Sequence, residues 1–355
     1  MVGVGLLLSD APRSVPPEQQ FQDILRIVGE AEQNGFDHIA IGQHFLYGDL
    51  RWLQPVPLLA RLAAHVGPDT RLVTQIMIGP LYHPVMLAEE IATLDIVTEG
   101  RLIFGVGVGY KSDEFDNLGV PFSERGSRLN EMLELMPRLW TEDVVSHHGT
   151  HWDLDGVEPH LRPVQRPHPP IWVGAHAMAG VRRAGRFADG YAVPPGTPPA
   201  EVARRYRVVR DLFAERGKPF GPQPLRRNIM IADSKEAAVS EYARVAQSRY
   251  ISYAQRGHEL YDAEKMREEF AESIKGHVVL GNPDDVVAEL TELVTTLPVS
   301  PLLVRPQWPT MDAEETVAVI RRMGRDLLPS ILPLPARSEI PEHLGAPAEE
   351  AGAGR

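Results

Sequence analysis

EGRLIFGVGVGYKSDE, Glu99–Glu114, is the stretch from which the rest of the chain is best read. Within it, Leu102–Val108 (LIFGVGV) is a short apolar run without a 3.6-residue period, which suits a strand buried on both faces. Gly105, Gly107 and Gly109 alternate through its second half, and Tyr110 ends it. Glycine weakens a strand, so this density marks a place where something approaches the backbone closely. A flat ring across the carboxyl end of a parallel strand needs such bareness. The dinucleotide fingerprint G-x-G-x-x-G fails, because Tyr110 takes the third glycine position counted from Gly105. A glycine-softened corner is the plainer reading of these residues taken alone.

The same rhythm of short buried strands and helices extends on both sides. Before the glycine run come strands over Val2–Leu8, His38–Ile41 and Leu72–Ile78, with helices over Pro16–Asn34, Pro57–His65 and Val85–Val97. After it, Glu124–Trp140 carries Leu129, Met132, Leu133 and Met136 at helical spacing. Val144–Leu154 alternates polar and apolar residues around Gly149, as an exposed inserted hairpin does. Ile171–Val173, Gly190–Val193, Asn228–Ala232 and Leu302–Val304 complete eight strands. Helices fall over Ala177–Phe187, Pro199–Arg216, Ser234–Arg256, Asn282–Leu297 and Ala313–Leu328, and residues 250–275 read as a second, helical insertion. Eight strand–helix units without the fingerprint predict an α/β fold, a (β/α)8 TIM barrel over residues 1–332. From Pro333 to residue 355 the chain is rich in Pro, Ala and Glu and is expected to be a disordered tail.

Composition narrows the function. The 36 Lys+Arg against 48 Asp+Glu give a net charge of −12 with no basic block, which argues against a nucleic-acid partner. With no cysteine in the chain, disulfides, thiolate nucleophiles and Cys-ligated metals are excluded. No 18-residue apolar run and no signal sequence is evident, so a soluble cytoplasmic protein is expected, with no membrane partner.

In such a barrel the site forms at the carboxyl ends of the strands. That selects Gln43 and His44 after strand two, Gln75 and Met77 late in strand three, Tyr82 and His83 in the loop beyond, and Tyr110 after strand four. His176 follows strand five, and Arg305, Gln307 and Trp308 follow strand eight. Arg226 and Arg227 precede the run Asn228–Ala232, which puts them at the opposite end. His44, His83, His160 and His176, on four separate segments, form no H-x-x-x-H or H-E-x-x-H pair, and His147, His148 and His151 fall on the hairpin, so no metal site is expected. Neither a G-x-S-x-G elbow nor a P-loop is present. Gly174–Gly180 (GAHAMAG) enters a helix with small residues, which suits either a phosphate on free N–H groups or a compact turn.

Together these segments resemble the bacterial luciferase-like flavin-dependent oxidoreductases, over residues 1–330. The likeness is carried by LDIVTEGRLIFGVGVG (Leu94–Gly109), RPVQRPHPPIWVG (Arg162–Gly174), RRAGRFADG (Arg182–Gly190), GNPDDVVAEL (Gly281–Leu290) and RPQWPTM (Arg305–Met311). The resemblance implies a barrel that binds reduced FMN, or in some branches the deazaflavin coenzyme F-420. The ring would lie over Met77, Ile78, Gly107, Val108, Gly109 and Tyr110, and the phosphate near Gly174, Ala175 and His176. The luciferases carry an arginine where this chain has Val108, many relatives carry Ser or Thr where it has Ala175, His176 and Ala177, and Tyr82 stands where an arginine is common. The implied activity is a two-component monooxygenase fed by a separate flavin reductase, oxygenating a small organic substrate through a flavin C4a-(hydro)peroxide. His44, with Gln43, Tyr82 and His83, would serve catalysis, and Phe45, Tyr47, Leu81 and Trp308 would wall the substrate pocket. A deazaflavin-dependent hydride-transfer enzyme is the alternative, and a non-catalytic flavin-binding barrel a further one. The family's habit of pairing through the helices after strands two and three implies a homodimer.

Overall fold

Eight parallel strands make the centre of the protein, a computed structural model that describes residues 1–8, 10–255 and 262–344. They are β1 (Val4–Leu8), β2 (His38–Ile41), β3 (Arg71–Thr74), β4 (Leu102–Gly107), β5 (Ile171–Gly174), β6 (Gly190–Ala192), β7 (Gln223–Ile231) and β8 (Val299–Arg305). Hydrogen bonding runs in the order β6-β5-β4-β3-β2-β1-β8-β7. Closure comes at one bridge, Val193 opposite Leu225, where the Val193 N–H donates to Pro224 O (3.1 Å) and the Arg226 N–H to Val193 O (3.3 Å). The expected (β/α)8 barrel is therefore what the chain forms.

Helices cover the outside: α1 (Pro17–Gln33), α2 (Pro55–Ala63), α3 (Pro84–Val97), α4 (Arg125–Thr141), α5 (Met178–Phe187), α6 (Pro199–Glu215), α7 (Pro283–Thr296) and α8 (Ala313–Asp326). Their starts follow local chemistry. Proline opens α1, α2, α3, α6 and α7, where its missing N–H costs nothing. Asp312 and Glu315 close a capping box on α8. Among the described residues no helix is long and apolar enough to cross a membrane.

Alternation along the strands sorts the barrel interior into layers. Leu7, Ala40, Val73, Ile103, Trp172, Ala192 and Leu303 form an apolar floor contributed by every strand except β7. There β7 places Arg226, in register with Leu303. One pleat further toward the carboxyl ends stand Gln75, Gly105, Gly174, Asn228 and Arg305, all polar or bare. The floor is apolar core, and the layer above it is not.

Three departures from the expected elements matter. Leu72–Ile78 is not one strand: β3 stops at Thr74, the Gln75–Ile76 peptide is cis, and Met77–Ile78 pairs again with β4. Val73 pairs with Ile103 but Met77 with Val106, so β3 carries one extra residue, a bulge that swings Ile76 toward the barrel axis. The strand expected from Asn228 begins five residues earlier, at Gln223, so Arg226 and Arg227 lie within β7 rather than beyond its far end. Polar residues hid this strand because its inner face is partly charged. Val279–Gly281 adds a short parallel strand against Ile229–Ile231. The hairpin forms as Val145–His148 against Asp153–Val157.

The helical insertion comprises Lys235–Gln255, Ala263–Glu268 and Phe270–Ser273; its segment 256–261 lies outside the described residues. Of the tail expected to be disordered, residues 333–344 are described and lie against the barrel. Leu334 O accepts from Val2 N–H (2.9 Å), and Ile340 is buried. Residues 345–355 lie outside the described residues.

Candidate active site

His44 leaves the end of β2 in a loop that other residues hold in place. The side chain of Gln43 is buried and joins three segments: Nε2 donates to Gln54 Oε1 (2.9 Å) and Tyr82 Oη (2.6 Å), and Oε1 accepts from Ile78 N–H (2.9 Å). Gln54 Nε2 then donates to His44 O (3.2 Å). Gln43 and Tyr82, expected in catalysis, are thus cross-links that fix the His44 backbone. Burial pushes the Tyr82 phenol up to about 12, so it stays protonated.

The His44 ring is held on its other edge. Nδ1 lies 3.1 Å and 3.2 Å from the two Glu114 carboxylate oxygens, and Glu114 also accepts from Phe45 N–H (2.6 Å). Glu114 is fully buried. A carboxylate on Nδ1 fixes the proton there and leaves Nε2 as the basic nitrogen. Nε2 is 3.5 Å from Tyr110 Oη, which in turn lies 3.1 Å from Tyr47 Oη. Tyr47 and Trp52 pack on the imidazole at 4.6 Å and 4.8 Å between ring centroids. Buried Lys111 pairs with Asp113 and lies over the Tyr47 ring. His44 is therefore oriented and only partly covered (14 % exposed side chain), not sealed in a core.

The glycines of β4 have a structural cause. A Cβ on Gly105 would stand 2.0 Å from Thr74 O, and Thr74 Oγ1 both accepts from Gly105 N–H and donates to Gly105 O (2.8 Å each). The bulge in β3 therefore leans on Gly105. A Cβ on Gly107 would stand 2.3 Å from Ile76 Cδ1, and Ile76 also covers Gly174. Ile76 lies across the bare ends of β4 and β5 as an aliphatic shelf. Met77 and Ile78 are buried, while Val108, Gly109 and Tyr110 line the half-buried exit of β4.

Past β5, Gly174 and Ala175 are half-buried and His176 is exposed. Tyr191 Oη donates to Ala175 O (2.8 Å) and accepts from Arg205 Nη1 (3.0 Å), which pins this turn in front of α5. The α5 cap, Ala177, makes no side-chain hydrogen bond. Arg183 on α5 donates to Asn130 Oδ1 and Gly126 O, and burial together with nearby Arg125 lowers its pKa.

Two expected residues serve elsewhere. His83 caps α3, its Nδ1 accepting from Val85 N–H (3.3 Å); burial and Arg128 keep its pKa low. Trp308 is 1 % exposed and packs with Tyr242, Tyr250 and Phe270 in a second core under the insertion. Phe45 and Leu81 are half-buried, as pocket walls can be. Glu114, Trp52, Gln54 and Ile76 went unread in the sequence. So did buried Asp10, which joins Arg249 and Arg305 (Nη2 to Oδ1, 2.6 Å). Arg249 Nε also donates to Tyr253 Oη (2.5 Å). The one available signal was Glu114 beside Phe115 in the short helix Ser112–Asn117, a carboxylate on its inward face. Among the described residues no group of three or more His, Asp or Glu could hold a metal.

The chain belongs to the luciferase-like monooxygenase family, whose family model matches residues 1–299. Its structure superposes on the monooxygenase RslO1 of Streptomyces bottropensis with a TM-score of 0.79 at 26% identity, covering 92% of this chain and 99% of that one. Curated relatives include a flavin-dependent and an F420-dependent enzyme. The oxygenase component of the flavin-dependent trigonelline monooxygenase of Acinetobacter baylyi is 31% identical over 44% of this chain and 44% of its own length. The F420-dependent glucose-6-phosphate dehydrogenase of Microbacterium testaceum is 30% identical over 48% of this chain and 51% of its own. Both matches span about half the length of those relatives.

Proposed function

We propose that the protein is the oxygenase component of a two-component, reduced-FMN-dependent monooxygenase acting on a small organic substrate. The observation that carries this reading is the chain Glu114–His44–Tyr110, which sets a basic imidazole nitrogen at the barrel mouth. The site fits a flavin. Gln75 Oε1 is buried without a hydrogen-bond partner in the polar layer, where a ring N–H would satisfy it. The Ile76 side chain, lying across Gly107 and Gly174, offers an aliphatic shelf for one face of the ring, next to Met77, Ile78, Val108, Gly109 and Tyr110. The turn Gly174–Ala175–His176 and the first N–H groups of α5 would hold the phosphate.

Reduced flavin, when bound, supplies two electrons and activates dioxygen; the protein positions, desolvates and moves protons. His44 Nε2 accepts or donates a proton at the substrate, with Glu114 holding Nδ1 on the opposite edge of the ring. Phe45, Tyr47 and Leu81 exclude water. A separate reductase supplies the flavin, and a homodimer through α2 and α3 and a cytoplasmic setting complete the reading; Met86, Ile96 and Val97 on α3 are 63%, 40% and 48% exposed. The F420-dependent relatives favour a second reading, a deazaflavin-dependent oxidoreductase with the same histidine.

Anaerobic titration with reduced FMN and, separately, reduced F-420, followed by air, separates the two. Stoichiometric FMN binding is expected, with re-oxidation slower than that of free FMN and accelerated in His44→Ala. Binding of F-420 alone would overturn the proposal in favour of the second reading.

A further inference from the structure

A cavity of about 600 Å³ opens beside His44, between the loop after β2 and the antiparallel ribbon Ala11–Pro12/Leu50–Arg51. That volume is within the usual span of small-molecule sites, roughly 300–1,000 Å³. Its walls include four aromatic rings, those of His44, Phe45, Tyr47 and Trp52. Of the ten residues that line it, the fixed charges are Arg13 and Arg51, and no carboxylate lines it. Neither arginine forms an ion pair among the described residues. Arg51 donates from Nε to Gln20 Oε1 (2.9 Å) and from Nη2 to Val15 O (2.5 Å), both neutral acceptors. Arg13 is exposed and is held through its backbone, whose N–H donates to Asp49 O (2.9 Å).

This local sign runs against the whole. The chain carries a net charge of −12, and another groove, about 460 Å³ between α1 and α8, is lined by Asp10, Asp23, Asp312 and Glu314 against Arg26. A field that repels anions at long range leaves recognition of one to cations at contact distance. Aromatic walls favour a planar apolar body, and a guanidinium favours a carboxylate that it can meet with two N–H donors.

We propose that this cavity is the substrate site and that the substrate is an aromatic carboxylate, its ring between the Phe45 and Trp52 walls and its charge on Arg13. Arg51 holds the ribbon and adds a second positive charge. The inference rests on the oxygenase reading for what happens to the substrate, but not for its binding, which needs no flavin.

The test uses the full chain without flavin, titrated calorimetrically at low salt with 2-naphthoate and with its neutral isostere 2-naphthamide. Naphthoate is expected to bind about tenfold tighter or more, and the difference to shrink as salt rises. Arg13→Gln, which keeps the backbone bond to Asp49, should lower naphthoate to the affinity of naphthamide and leave naphthamide unchanged. Equal affinities in the wild type, or a preference that survives both Arg13→Gln and Arg51→Gln, would overturn the proposal. A preference in a chain that takes up no reduced flavin would keep this site and remove the oxygenase reading. Flavin uptake without the preference would do the reverse.

Discussion

Tyr110 stands between His44 and a second tyrosine. On one side is His44 Nε2; on the other its ring meets that of Tyr253 edge-on, 6.4 Å between centroids. The two phenols differ in acidity. Burial lifts Tyr110 well above 10. Burial also pushes Tyr253 up, but Arg249, Arg305 and Arg226 outweigh it and pull Tyr253 down to about 8. A phenol more acidic in the folded chain than the ordinary value of about 10 stabilises the fold once it ionises. That contribution is absent below pH about 8, grows above it and is complete near pH 10. Wild type should therefore gain in Tm over Tyr253→Phe between pH 7.5 and about 9.5, and ultraviolet titration should lose one early phenolate in the variant. Equal Tm differences at both pH values would refute the assignment. None of this was legible in the sequence. His44 and Tyr110 announce themselves by following apolar runs, but Glu114 lies 70 residues from His44 and Asp10 lies 239 from Arg249. Partners that distant are chosen by the closed barrel, and nothing in local spacing marks them.

At the scale of elements, the glycines of β4 were read correctly as a place of close approach, yet what approaches Gly105 is the protein itself. The obstacle there is Thr74 O, a backbone atom that cannot swing aside. Gly105→Ala should cost about 3 kcal/mol or more, at the upper end of overpacking. At Gly107 the nearest obstacle is the far end of the Ile76 side chain rather than backbone, so Gly107→Ala should cost less, about 1 kcal/mol. Chemical denaturation orders the two; a reversed order would show that the bulge does not lean on β4. Periodicity found β1, β2, β4 and β5 because both their faces are apolar. It missed the true start of β7 because Gln223, Arg226 and Arg227 look like loop residues. It ran through the bulge in β3, since an extra residue in LVTQIMI leaves the run apolar.

The molecule as a whole was legible from repetition. Eight strand–helix units in sequence without a dinucleotide fingerprint point to the barrel rather than an open sheet. What repetition does not show is where the ring is weakest. Most neighbouring strands share runs of register pairs, as β1 and β2 do over four, whereas β6 and β7 meet at the single Val193–Leu225 bridge. The ring should breathe at that seam. Amide protons of Val193 and Arg226 should trade for deuterium well before those of Leu6 or Ile39 in the β1–β2 ladder. The seam runs up to Arg226, next to the polar layer, so each opening briefly admits water to the mouth from the side. A ligand filling the mouth would hold the seam shut, and slower exchange at these two amides alone would report its arrival without any turnover.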